Sequence, residues 1–174
     1  MTSSWTNPTV ITQYPEPGAE SIDIPWKDYE FYNLTNPSSQ RVGLNGTLLH
    51  IARSPKYDIM NKTYFVRATG FNFINLPNQI SGIEFRFTSD RAGRITDDTI
   101  QLCLGGEVIG VNRADLILDP IKIYGSDSDM WENKSLTIEN IKDPSFGIVI
   151  RLKSHPQWPH KDTAFLTALE LRIH

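Results

Sequence analysis

Few side chains in this 174-residue chain stand at spacings that could do chemistry, and each group has a plainer use. The acidic clusters are Asp97-Asp98 and Asp127-Ser128-Asp129. A hard cation such as calcium takes several carboxylate and carbonyl oxygens from one loop. Asp127 and Asp129, following Gly125, are the residues that could begin such a loop. The full EF-hand spacing is missing, and loop carboxylates usually form turns and caps, so no cofactor is expected. Asp97-Asp98 reads as a turn at a strand opening, with a local backbone bond. His155-Pro156-Gln157-Trp158-Pro159-His160 holds two of the four histidines, but zinc needs further ligands at a familiar spacing. Cys103 is the single cysteine, so it has no disulfide partner and reads as a small buried thiol.

Nucleophilic catalysis has no visible basis. There is no Gly-x-Ser-x-Gly elbow and no cysteine matched to a histidine. Gly105-Gly106 is not a phosphate cradle, because no helix follows it. No carboxylate pair is singled out for glycoside cleavage. The expectation is that the protein is not an enzyme. Loop aromatics are the remaining candidates, because amphipathic rings dock partners or stack on sugars. Trp158, between two prolines, is a contact residue of this kind. Trp26 and Trp131 read as core or edge packing.

Such residues need elements to hold them, and the pattern here is that of strands. In Ile83-Glu84-Phe85-Arg86-Phe87-Thr88 apolar and polar residues alternate, the period of a strand with one wet face. Phe146 to Lys153 and Leu169 to His174 alternate in the same way. Thr99 to Leu104 is a more buried strand, and Gly105-Gly106 before Val108-Ile109 is a hairpin signal. Thr47 to Ala52, Thr63 to Phe73 and Leu136 to Ile138 are further strands. A helical turn fits only Ala114 to Leu118 or Asn140 to Asp143. Many short strands between turn signals predict an all-β fold, a β-sandwich of jelly-roll type.

The first twenty-five residues differ. Proline blocks helix and limits ladder pairing, so Thr6 to Gly18, with its three prolines and many β-branched residues, is extended. The chain thus divides into an N-terminal arm, residues 1–25, and one sandwich domain, residues 26–174. The arm offers Trp5, Val10, Ile11 and Tyr14 to a partner. A neighbour's sheet edge would accept its backbone as an added strand.

Bulk properties narrow the function. Hydrophobic residues are 39% and charged residues 21%, the composition of a globular chain able to bury a core. A net charge of -3 gives no electropositive face for nucleic acid and no polybasic membrane patch. The N-terminus lacks the pattern of a signal peptide, so folding in a cytoplasm is expected. The Asn-x-Ser/Thr triplets at Asn33, Asn45, Asn61 and Asn133 are then accidents of composition.

The second half also carries an ordered set of motifs. They are Ile80-Ser81-Gly82-Ile83-Glu84, Asp97 to Leu102, Gly105 to Asp115, Tyr124 to Trp131, and Ile141 to Ile148, ending in the strand Leu169 to Ile173. Over residues 64–174 this order resembles β-sandwich virion structural proteins of tailed bacteriophages. Arg113 stands where that pattern has lysine, and Glu132 where it has glycine after the tryptophan. The resemblance implies a non-enzymatic structural role in a virion assembled in a bacterial cytoplasm, and it carries no catalytic residue. The arm and the absence of a coiled-coil stalk favour a capsid cement or decoration protein that bridges neighbouring subunits. The expected partners are the major capsid protein or other virion proteins, and copies of the chain itself, as a homotrimer. The alternatives are a tail, baseplate or fibre component, or a carbohydrate-binding module for host adsorption that uses Trp131 or Trp158 as a sugar platform.

Overall fold

The computed structural model describes residues 2–17, 23–24, 30–31, 42–43, 62–90, 95–115, 121–154 and 165–174. Trp26, the strand expected at Thr47 to Ala52, and the His155 to His160 loop with Trp158 lie outside the described residues.

The fold is nearly all β and sandwich-like, as the alternation predicted. In chain order the strands are β1 (Val10–Tyr14), β2 (Asp23–Ile24), β3 (Glu30–Phe31), β4 (Val42–Gly43), β5 (Lys62–Thr63) and β6 (Phe65–Thr69). They continue with β7 (Ile83–Asp90), β8 (Ile95–Leu104), β9 (Glu107–Ile109) and β10 (Ile121–Gly125). A short helix, α1 (Ile138–Lys142), precedes β11 (Gly147–Ser154) and β12 (Phe165–Ile173). One sheet runs β1-β6-β11-β8-β9, with β5 continuing the line of β6 and β2 parallel beside it. Among the described residues the other is β10-β7-β12, and β3 and β4 form a two-stranded pair.

Period-2 alternation supplies the two inner faces. Ile83, Phe85 and Phe87 of β7 and Leu171 and Ile173 of β12 are fully buried, facing Ile100 and Leu102 of β8 and Ile148, Ile150 and Leu152 of β11. Each such side chain stabilises the fold by roughly 1.5–3 kcal/mol relative to an exposed one. Phe85, Phe87 and Tyr124 form an aromatic cluster with ring centroids 5.7–6.0 Å apart. β11 is the central strand and is buried on both faces, since Val149 and Arg151 on its outer side are also covered.

Gly105 and Gly106 form the predicted two-residue hairpin between β8 and β9, with φ of 62° and 91°. Positive φ at both positions is what a type I′ turn demands, and glycine meets it without strain. The strand expected at Leu136 to Ile138 is instead the start of α1. Thr137 caps it, accepting from the Asn140 backbone N–H, while the Asn140 side chain accepts from the Thr137 N–H. That reciprocal bond satisfies two of the orphan donors of a helix start, which a short strand there would leave open.

Candidate functional site

The loops after β9 and β10 meet around Trp131. Its side chain is fully buried, and its Nε1–H donates to the Ile83 carbonyl at 2.9 Å. Gly110 (φ 68°) lies against the Trp131 carbonyl. Gly125 (φ 79°) lies against the Ile83 oxygen and the indole nitrogen. A Cβ at either glycine would collide with backbone, so the two turns can close on the indole only as glycines. Trp131 is therefore a core plug, and it offers no face to a sugar.

Asp129 belongs to the same device. Its Oδ1 accepts from the Trp131 backbone N–H at 2.8 Å and from Arg113 Nη2 at 2.7 Å. Asp127 is exposed, and its carbonyl accepts from the Ser81 hydroxyl at 3.0 Å. The calcium reading of Asp127 and Asp129 thus meets a carboxylate already engaged by a guanidinium and a turn N–H. Among the described residues no group of three or more His, Cys, Asp or Glu side chains is placed to hold a metal ion. Arg113 and Asn112 have framework roles as well. Asn112 Oδ1 accepts from the N–H groups of Ile100 and Ala114, its Nδ2 donates to the Asp98 carbonyl, and Arg113 N–H donates to Ile100.

Trp131 and Glu132 both sit in the left-handed region, with φ of 53° and 57°. For an ordinary residue this conformation costs roughly 1–2 kcal/mol. Glu132 is exposed. We expect Glu132→Gly to stabilise the fold by about 0.5–1 kcal/mol, after discounting the greater freedom of glycine in the unfolded chain. A urea midpoint that falls on this substitution would contradict the strain account.

Asp97 and Asp98 do not form the expected turn. They lie within β8, where the register against β11 slips between Arg151 and Leu152. Thr99 faces Arg151 and Asp97 faces Leu152, leaving Asp98 as the extra residue of a bulge. A one-residue slip reverses which side chain points inward. Asp97 therefore enters the sandwich and is fully buried. It accepts from Tyr124 Oη at 2.8 Å and from the Asp115 N–H at 3.1 Å. Lys122 Nζ, itself buried, is 3.5 Å from Asp97 Oδ2 and pairs also with Asp115. Asp98 faces outward to Lys62 at 3.3 Å, Lys153 at 3.2 Å and Arg151 at 3.8 Å. Sequence reasoning missed this buried carboxylate, and no local signal marks it.

The N-terminal residues are extended, as expected, and lie along their own domain. Ser3 N–H donates to the Ile173 carbonyl at 2.8 Å, and Thr6 and Leu171 exchange backbone bonds at 2.9 Å. The chain then crosses to the other sheet, where β1 pairs with β6 from Val10↔Thr69 to Tyr14↔Phe65. Tyr14 stacks on Phe65 at 5.3 Å and lies under the Arg67 guanidinium at 4.7 Å. Ile11 packs against the core, and Val10 is 49% exposed. Trp5 lies on the outer face of the smaller sheet, within 4.3 and 4.4 Å of the Arg86 and Arg172 guanidinium carbons. Of the residues proposed for contact, Trp5 and Tyr14 are thus partly spent within the fold.

That outer face carries a cross-strand ion ladder. Arg86 pairs with Glu170 at 2.7 Å, and Glu84 pairs with Arg172 and, at 2.8 Å, with His174. Burial raises the Glu84 pKa, but bonds from His174 and Arg172 more than reverse this, and the net shift is downward. A carboxylate held below its unfolded pKa stabilises the fold above that unfolded value, and the gain is lost as pH falls through the folded value. Stability should therefore decline below about pH 4.5, the ordinary value for glutamate. Glu84→Gln should flatten that decline in a pH series of urea titrations. An acid limb of unchanged slope would remove Glu84 from the account.

The strand edges show the clearest surface feature. On β10, Ile121 and Ile123 are 62% and 49% exposed, while the intervening Lys122 turns inward to Asp97 and Asp115. Val108 on β9 and Val10 on β1 are also about half exposed. An open groove of about 520 Å³ lies between the 76–80 loop and α1, with Lys134 and Lys142 among its walls. Comparison with protein-family models, curated proteins and solved structures finds no match.

Proposed function

We propose that this protein is a non-enzymatic structural component of a phage particle, and within that class a capsid cement or decoration protein. The observation that supports assembly best is β10, which is an edge strand among the described residues. Natural edge strands are commonly guarded by an outward lysine; here Lys122 is drawn inside, and two isoleucines face outward. Other strand edges add half-exposed valines. Exposed aliphatics on strand edges favour further strands and subunits. The described polar groups fit the same reading: Asp97, Asp98, Asp129 and Glu84 are occupied by partners that hold the frame. The phage-type motifs likewise use their glycines and tryptophan to shape loops.

A shell-bridging role needs many modest contacts repeated by symmetry, with capsid subunits and further copies of this chain, in the trimeric case about a threefold axis. The test is to add purified protein to empty capsids and measure both co-sedimentation and capsid melting temperature. Binding with a raised melting temperature is the expected result. Association with tails or baseplates, and none with capsids, would move the protein to those structures. Ile121→Lys/Ile123→Lys should weaken particle binding while leaving the monomer folded.

A further inference from the structure

We infer that Lys122 and Asp115 join through an isopeptide bond, formed in the folded chain with Asp97 relaying the protons. The inference is independent of the virion reading, since it needs only one folded copy of the protein.

Three groups of suitable chemistry meet at one point. Lys122 lies on β10, and its side chain is 8% exposed. Its Nζ pairs with the Asp115 carboxylate and is 3.5 Å from Asp97 Oδ2. Asp97 reaches the same point from β8, on the opposite sheet, and is fully buried. That Asp97 oxygen accepts from the Asp115 backbone N–H at 3.1 Å and from Tyr124 Oη at 2.8 Å. The two bonds hold Asp97 against Asp115, so an amine, an acceptor carboxyl and a second carboxyl share one cluster. Lys122 Nζ also lies over the Tyr124 ring, 4.9 Å from its centre, and that ring stacks on Phe85 and Phe87. The amine therefore sits between an aromatic wall and two carboxylates.

The reaction balances with no co-reactant. The C–N bond forms between Lys122 Nζ and Asp115 Cγ, and one Cγ–O bond of Asp115 breaks. The Lys122 ammonium loses two of its three protons. Asp97 relays both to the departing Asp115 oxygen, which leaves as water, and Asp97 ends as it began. The Asp115 side chain is 55% exposed, which gives that water a way out. In dilute water a free acid and amine are favoured over an amide. Well-oriented partners in one molecule, however, reach effective molarities of about 10⁵–10⁸ M. Burial acts in the same direction. A buried ion pair carries a desolvation cost that its attraction hardly offsets, and an amide carries no charge. The two residues are seven positions apart, so the bond closes a small ring at the entrance to β10.

Intact-mass spectrometry of the purified full chain, run under denaturing conditions, reads the bond directly. After allowance for the initiator methionine, the mass should fall below that of the sequence by one water, about 18 Da. A parent chain at its full sequence mass overturns the inference. Trypsin mapping then locates the loss. An amidated Lys122 is not cut, so residues 114–134 should emerge as one fragment short of a water. A missing water combined with complete cleavage after Lys122 places the loss elsewhere and overturns the inference as well. Lys122→Arg and Asp115→Ala should each restore the full sequence mass, and the half-exposed position of Asp115 makes its replacement mild for the fold. Either variant still lacking the water would rule the bond out. Asp97→Asn, read on its folded fraction, should also keep the full mass. Loss of water there to the same extent as in the parent would remove Asp97 from the proton relay.

Discussion

Trp131→Ala should remove a large share of the domain's stability and sharply lower its urea midpoint. Replacing a buried tryptophan by alanine costs about 3–5 kcal/mol through lost transfer energy and the cavity left behind. Domains of this size have only about 5–15 kcal/mol in total. The site cannot collapse to heal the void, because its walls are backbone: the Ile83 carbonyl, the Gly110 turn and the Gly125 turn. Trp131→Phe separates the contributions. It keeps most of the volume but leaves the Ile83 oxygen without its indole donor, which should cost about 1–3 kcal/mol. Urea unfolding followed by circular dichroism measures both. A Trp131→Ala midpoint within error of the parent would show that the loops do not depend on the plug.

Asp97→Asn should cost about 2–4 kcal/mol. A buried pair broken from one side leaves the other charge uncompensated in a poor dielectric. Lys122 would retain Asp115, whose side chain is 55% exposed, so the loss falls short of that for a fully orphaned lysine. The Tyr124 hydroxyl would keep an amide oxygen to donate to. Asp97→Asn/Lys122→Met should recover most of the loss, since replacing a buried pair by apolar volume is often neutral or stabilising. A double-mutant cycle reads the coupling directly. If the double variant is as unstable as the sum of the single ones, Asp97 acts through Tyr124 and the Asp115 N–H rather than through Lys122.

The two predictions differ in how much of their basis is local. Trp131 stands in a motif, and the glycines around it can be read as turns from the chain alone. Their purpose cannot. Gly110 and Gly125 are far apart from Ile83 in sequence, and only packing brings them onto one indole. The arm gives a similar lesson. Its prolines and β-branched residues required extended backbone, and the strand is extended. Nothing local says that residues 3–6 lie on one sheet and residues 10–14 on the other, because backbone hydrogen bonds are indifferent to the partner's sequence.

What the amino-acid order determined by itself is the class of fold. Alternation at Ile83 to Phe87, Phe146 to Lys153 and Leu169 to His174 sets one apolar face per strand, and that face must be covered by another sheet. The Gly105-Gly106 turn was equally legible, since two consecutive positive φ angles are cheap only for glycine. What the tertiary structure alone decided is which polar groups go inside. One extra residue at Asp98 turns Asp97 into the core and Asp98 out to Lys62 and Lys153. It also gives Lys122 a buried partner, which strips the β10 edge of its charge and leaves Ile121 and Ile123 outward. A bulge is a property of two strands in register, and a single strand's sequence carries its pattern but not its neighbour's.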